Sequence, residues 1–272
     1  MLTPKAEAYL EECRQEAVDL LIRLAQIPAP SNQEEKRAVF CREWLEKNGA
    51  QGVYVDEALN VIYPVIKDGE PLEKQQLAVY AAHTDVVFPD LTPLPLTVDG
   101  NLICCPGVGD DTALLIAARF VARELRQGSL KLKNKGVLFV CNSGEEGLGN
   151  LKGSREICRA FGKQMKEFIT LDGPMDKLVT RAVGSMRYQV EIRTRGGHSY
   201  GDFGQPNAIA RMAELIAKLY QIPVPKGAKT TFNVGTISGG TSVNTIAQQA
   251  QMLYEFRSES RDNLKYMEEQ FM

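Results

Sequence analysis

Three short apolar runs constrain this chain more than any other feature: "LAVYAA" ending at Ala82, "VLFVC" ending at Cys141 and "FIT" ending at Thr170. Each is too short for a helix and too continuous for a strand with one wet face. Each therefore reads as a strand buried on both sides. Segments with apolar positions at helical spacing lie between them. "DTALLIAARFVARELRQG" predicts an apolar-faced helix closed by Gly128, and "NLKGSREICRAFGK" predicts a shorter one. Upstream, residues 5–27 predict a first helix. A second is expected from Ser31 to about Lys47, with Ser31 and Glu34 as a capping box. "GVYVDEALNVIYPV" alternates like a strand pair. Helices alternating with continuous apolar strands predict an α/β domain with a mostly parallel sheet and helices on both faces.

The pattern changes near Gly184. "SMRYQVEIRTRG" alternates polar and apolar, as a half-exposed strand does, and "PNAIARMAELIAKLYQI" is an amphipathic helix opened by Pro206. "TTFNVGTISGG" and "AQQAQMLYEFRSE" read as two more strands, and "SRDNLKYMEEQFM" as a helix. This β-α-β-β-α order predicts a smaller α+β domain with one open sheet face. The expected domains are residues 1–184 and 185–272.

With 272 residues and a net charge of −2, the chain has no basic footprint for nucleic acid or an anionic membrane. No apolar run approaches the roughly 20 residues of a membrane span, and the N-terminus carries no signal-peptide pattern. None of the six cysteines forms a CxxC pair. Six free thiols in a reducing, cytoplasmic protein are expected.

Polar groups cluster just beyond the three apolar runs. His83 and Asp85 follow the first, Glu145 and Glu146 the second, and Asp172 the third; Asp110 lies in "GVGDD" ahead of the long helix. Ligands of open α/β sheets bind outside the carboxyl ends of the strands. Parallel neighbouring strands would bring five carboxylates and one imidazole to a single rim. Such a set cannot share a crevice without a cation, and mixed oxygen and imidazole donors suit zinc or another first-row divalent ion.

"HTDVV", "GVGDD", "SGEEGLGN", "LDGP", "GGHS" and "GGTSVNTIAQQA", in this order, resemble the di-zinc exopeptidase family of peptidase T, carboxypeptidase G, aminoacylase and succinyl-diaminopimelate desuccinylase. The resemblance spans nearly the whole chain. It implies a zinc exopeptidase-like domain plus a lid that also forms a homodimer contact. It implies that His83 and Asp172 bind one zinc, Glu146 a second, and that Asp110 bridges them across a cis Asp110–Asp111 bond. Cobalt or manganese could replace the zinc. Asp85 would orient the His83 ring, and Glu145 would be the general base toward a water activated between the metals. In the lid, His198 would polarise the scissile carbonyl, and Asn244 and Arg257 would hold a substrate carboxylate. For Asn244 and Arg257, a helix cap and a solvated strand-edge cation are equally good readings.

The expected activity is hydrolysis of amide bonds in short peptides or N-acyl amino acids. The resemblance also implies a late metal-binding histidine, whereas His198 is the last histidine here. The expectation is a lid incomplete at its C-terminus, in the N-terminal portion of a longer enzyme. The alternative is an inactive fragment serving only as a dimerising or carboxylate-binding module.

Overall fold

In a computed structural model, which describes residues 3–66, 71–127, 132, 135–173 and 176–272, the chain divides into two units, Met1–Asp176 and Lys177–Met272. The first runs α1 (Pro4–Ala25), α2 (Glu35–Lys47), β1 (Tyr54–Val55), β2 (Val61–Val65), β3 (Leu77–His83), β4 (Thr97–Asp99), β5 (Leu102–Cys104), α3 (Ala113–Gln127), β6 (Gly136–Asn142), α4 (Lys152–Phe161) and β7 (Met165–Thr170). Its main sheet has the order β1-β2-β6-β3-β7. Strands β6, β3 and β7 are parallel, while β2 and β1 extend the sheet antiparallel.

All seven residues of β6 are buried, because the strand has neighbours on both edges and helices on both faces. Val137, Phe139 and Cys141 pack with Leu24, Cys41, Leu115 and Phe120 from α1, α2 and α3. Leu138 and Val140 point the other way, onto Ile157 and Phe161 of α4. This two-residue period feeds two cores from one strand. Each large side chain so buried contributes roughly 1.5–3 kcal/mol, and Leu138→Ala would cost about 2–5 kcal/mol.

The connections explain where a crevice opens. From β3 the chain passes through α3 to β6 on one side. From β6 it passes through α4 to β7 on the other side of β3. The two helices cover opposite faces. Strand order therefore reverses at β3, and a crevice outside its carboxyl end follows.

Two expectations about this unit are corrected. The third apolar run is not buried on both sides: β7 is the sheet edge, paired only with β3, and Ile169 is 36% exposed. Helix α2 begins at Glu35 with no side-chain cap, so Ser31 and Glu34 form no capping box. Their side chains turn elsewhere, as described below. Gly128, expected to end α3, and Pro174 of "LDGP" lie outside the described residues.

The second unit runs β8 (Gly184–Arg193), β9 (Gly197–His198), α5 (Ala208–Leu219), β10 (Thr230–Gly239), β11 (Thr245–Ile246), β12 (Gln249–Ser258) and α6 (Arg261–Phe271). An antiparallel sheet β10-β12-β8 carries both helices on one face. Ala250, Met252, Tyr254 and Phe256 of β12 pack toward Met212, Leu219 and Met267, while Gln251 and Arg257 lie on the open face. Asn207, not Pro206, opens α5. Its side-chain oxygen accepts the Ile209 and Ala210 N–H groups at 2.9 and 3.3 Å. No described helix is long and apolar enough to cross a membrane.

Candidate metal centre

Strand ends set the site. His83 is the last residue of β3, Glu145 and Glu146 sit on the turn after β6, and Asp172 follows β7. Asp110 lies in the turn before α3, joined to Asp111 by a cis peptide bond. His83 Nε2 is 3.0 Å from Asp110 Oδ1. Donor atoms of His83, Asp110 and Asp172 all lie within 4.8 Å of one another, and those of His83, Glu145 and Glu146 do the same. One imidazole thus belongs to two carboxylate triads.

A buried framework aims these groups. His83 Nδ1 lies 2.9 Å from the Asp85 main-chain oxygen and 3.5 Å from Asp85 Oδ1. Donation from Nδ1 to that carbonyl leaves Nε2 as the ring nitrogen that would give up its proton to bind a metal. The Asp85 carboxylate is spent mainly on the turn. It accepts the Glu145 and Glu146 N–H groups, each at 3.0 Å, and the Ser31 hydroxyl at 2.7 Å. Asp111 Oδ2 accepts the His83 N–H at 2.9 Å. Arg37, 2% exposed, donates to Ile27 O at 2.8 Å, Thr84 O at 3.0 Å and Thr112 Oγ1 at 3.1 Å. It thereby ties the end of α1, the "HTD" loop and the start of α3 together.

Ser31, Glu34, Arg37 and Asp111 hydrogen-bond to the strand ends and turns that carry the candidate ligands, contacts that sequence reasoning missed. For Arg37 a signal existed: it precedes Cys41 and Leu45 at four-residue spacing, so it falls on the buried face of α2. Asp111 stood in plain view in the "DD" pair. Ser31 and Glu34 had a local explanation that hid them.

The electrostatics suit a cation. Burial raises Glu145, Glu146 and Asp172 from their ordinary values, and repulsion from neighbouring carboxylates, Asp110 in every case, adds to it. Glu146 reaches about 7. Burial pulls His83 down, but the Asp85, Asp111 and Glu145 carboxylates overcome it and lift it to about 10. Burial pushes Asp111 up to about 8, and its Oδ1 has no hydrogen-bond partner among the described residues. A cleft that holds this much acid around one imidazole fits a divalent ion with mixed oxygen and nitrogen donors.

The other expected residues belong to the second unit. His198 pairs with Thr245 across β9 and β11, and its Nδ1 accepts the Tyr200 and Gly201 N–H groups at 3.3 and 3.2 Å. The Asn244 main-chain oxygen accepts the Ser199 N–H at 3.0 Å, which seats Asn244 beside His198. They adjoin a cavity of about 680 Å³ lined by His198, Thr245 and Gln249 among others. Arg257 is not brought to this group. It sits eight residues along β12 from Gln249, roughly 26 Å at strand rise, and its guanidinium forks onto Glu255 at 3.1 and 3.2 Å.

The chain is similar to known proteins in sequence and fold. Residues 60–195 match the family model of peptidase family M28, and residues 180–272 match that of the peptidase dimerisation domain. A peptidase M20 domain-containing protein of Schizosaccharomyces pombe is 24% identical over 84% of this chain and 56% of its own length. This chain therefore spans little more than half of that relative. A tripeptidase of Staphylococcus aureus superposes with a TM-score of 0.62 at 23% identity, covering 94% of this chain and 70% of that one. Human carnosine dipeptidase 1 superposes with a TM-score of 0.66 at 15% identity, covering 97% and 74%. At these identities the structural likeness establishes a common fold.

Proposed function

The chain belongs to the di-zinc metallopeptidase family, and from that premise we propose that it is a metal-dependent hydrolase of amide bonds in short peptides or N-acyl amino acids. The observation that carries this reading is the shared His83 imidazole at the meeting point of two carboxylate triads. His83, Asp110 and Asp172 would hold one ion, and Asp110 with Glu146 a second. Divalent zinc, with cobalt or manganese as substitutes, supplies Lewis acidity toward water and the scissile carbonyl when bound.

The rest of the chemistry falls to the chain. Glu145 takes the proton of the attacking water and delivers it to the departing amine. Its pKa, raised by burial and by neighbouring carboxylates, favours both halves of that task. His83 is fixed in the metal-binding tautomer by Asp85. His198 polarises the scissile carbonyl, and Asn244 and Arg257 hold a substrate carboxylate. The separation of Arg257 from His198 within one unit suits contributions from two subunits, so the proposal includes a homodimer formed through residues 185–272, with residues 1–184 as the catalytic domain. A cytoplasmic setting belongs to the same proposal, supported by six free thiols.

The test measures zinc content of the purified chain and hydrolysis of di- and tripeptides against N-acetyl amino acids, with Glu145→Gln as control. A chain that binds no metal, or whose turnover is indifferent to Glu145→Gln, defeats the proposal. A second reading, a non-catalytic dimerising or carboxylate-binding module, is favoured by one observation. Both triads draw on the single His83 imidazole, so two ions would compete for it. Metal binding without turnover would select that reading.

A further inference from the structure

We propose that Glu34 is a positioning residue of this site: it fixes the pivot of the turn that aims Glu145 and Glu146. The roles of those two glutamates rest on the functional reading above, while the geometry of the turn does not.

Strand β6 ends at Asn142, and the chain must then turn sharply. Gly144 adopts φ +58, and the chain returns so closely that a Cβ on Gly149 would lie 2.5 Å from the Gly144 Cα. The turn presents three consecutive N–H groups, those of Gly144, Glu145 and Glu146, which have no strand partner. Two carboxylates, both 0% exposed, take all three. Asp85 holds Glu145 and Glu146 at 3.0 Å each, and Glu34 Oε1 holds Gly144 at 2.8 Å.

Glu34 does more than satisfy one donor. The same Oε1 accepts the Asn32 N–H at 2.9 Å, and Oε2 meets Lys152 Nζ at 3.0 Å. Lys152 opens α4, and its own N–H returns to Gly144 O at 3.2 Å. One carboxylate therefore joins the segment ahead of α2, the glutamate turn and the start of α4. A buried carboxylate needs a counter-charge, and the Lys152 ammonium supplies it. Asp85 alone would grip the turn at its far end. Without Glu34, the Gly144 N–H is orphaned and the turn can swing about Asp85. Misplacing a catalytic group by about 1 Å can cost on the order of 10²-fold in rate.

Amide hydrogen exchange, read by NMR on the full metal-free chain, tests this directly. Glu34→Ala removes the acceptor. The double variant Glu34→Gln with Lys152→Met keeps an amide oxygen beside Gly144 and removes the ammonium that an amide cannot neutralise. In Glu34→Ala, exchange at Gly144, Glu145 and Glu146 should rise about tenfold or more, while Val137–Val140 of β6 stay within about threefold. The double variant should stay within about threefold of wild type throughout. With zinc supplied and dipeptides as substrate, kcat should fall about tenfold or more in Glu34→Ala at nearly constant KM, and recover in the double variant.

Unchanged exchange at the three amides, an equal rise along β6, or a double variant that does not restore protection would each overturn the proposal. If Glu34→Ala does not fold, the double variant decides alone: protection retained supports the role, and protection lost overturns it. A wild-type chain without turnover defeats the hydrolase reading, while the exchange data still decide whether Glu34 holds the turn.

Discussion

Asp85→Asn is the sharpest probe of the framework under the metal ligands. The carboxylate is fully buried and accepts three hydrogen bonds, from Ser31 Oγ at 2.7 Å and from the Glu145 and Glu146 N–H groups at 3.0 Å. Asparagine has the same shape but one oxygen. Its best orientation keeps that oxygen toward Ser31 and Glu146, which share Oδ2, and turns the NH2 onto the Glu145 N–H. That orphaned donor costs about 1–3 kcal/mol. The two surviving bonds lose their charge assistance, about half their strength or roughly 1 kcal/mol each. Burying an amide instead of a carboxylate gives part of this back. The net expectation is about 2–4 kcal/mol, or about 5–15 °C in the melting temperature of a unit this size.

Trp44, the only tryptophan, supplies the assay. It lies on α2 with its ring 5.4 Å from Phe120, so its fluorescence reports the first unit by itself. Urea titrations with chelator present should show the midpoint fall at constant slope. Ser31→Ala, which removes one of the three bonds, should cost about 1–2 kcal/mol. Asp85→Asn within about 0.5 kcal/mol of wild type would refute the assignment of that carboxylate as the clamp of the turn.

Further outcomes follow from the same geometry. Glu145→Gln should leave zinc affinity within a few-fold and lower turnover by about 10²–10⁴-fold, read by paired metal titration and peptide assay. Asp172→Ala should weaken the first equivalent of zinc while leaving the Trp44-reported stability of the metal-free chain nearly unchanged, because Asp172 is an exposed group just beyond an edge strand. Gly153→Ala should destabilise the first unit by about 1–3 kcal/mol, seen by urea titration: a Cβ there would meet Ser143 O at 2.5 Å and Ser143 N at 2.7 Å, both rigid backbone.

Much of this was legible from residue pattern. Continuous apolar runs gave β3 and β6 because a strand covered on both faces has no polar side to alternate with. The parallel sheet then put His83, the two glutamates and Asp172 at one rim, since parallel strands end at the same edge. The run "FIT" looked the same but belongs to β7, an edge strand. Whether a strand has one neighbour or two depends on the rest of the sheet, and three residues carry no record of it. Arg257 was placed by resemblance with the substrate groups, yet its register on β12 sets it opposite Ser185 and Thr231, far along the strand from His198.

The Ser31–Glu34 pair shows why local reasoning stops where it does. Read alone, S-x-x-E before a helix is a capping box, worth about 1 kcal/mol. In the folded chain Ser31 finds a buried carboxylate 54 positions away, and Glu34 finds the Gly144 N–H 110 positions away and an ammonium 118 away. Hydrogen bonds to charged groups contribute about 1.5–3 kcal/mol each, so each side chain gains more by leaving the cap than by making it. Helix α2 accordingly starts with no side-chain cap, and its first turn loses about what a cap would supply. The same residues that would have opened a helix hold the glutamate turn instead, and a preference for the local partner would return if those distant partners were removed. Asp85→Asn therefore carries a structural corollary: its oxygen stays toward Ser31, so Ser31 should remain off α2, and amide protection at the first turn of α2 should hold while protection at Glu145 falls.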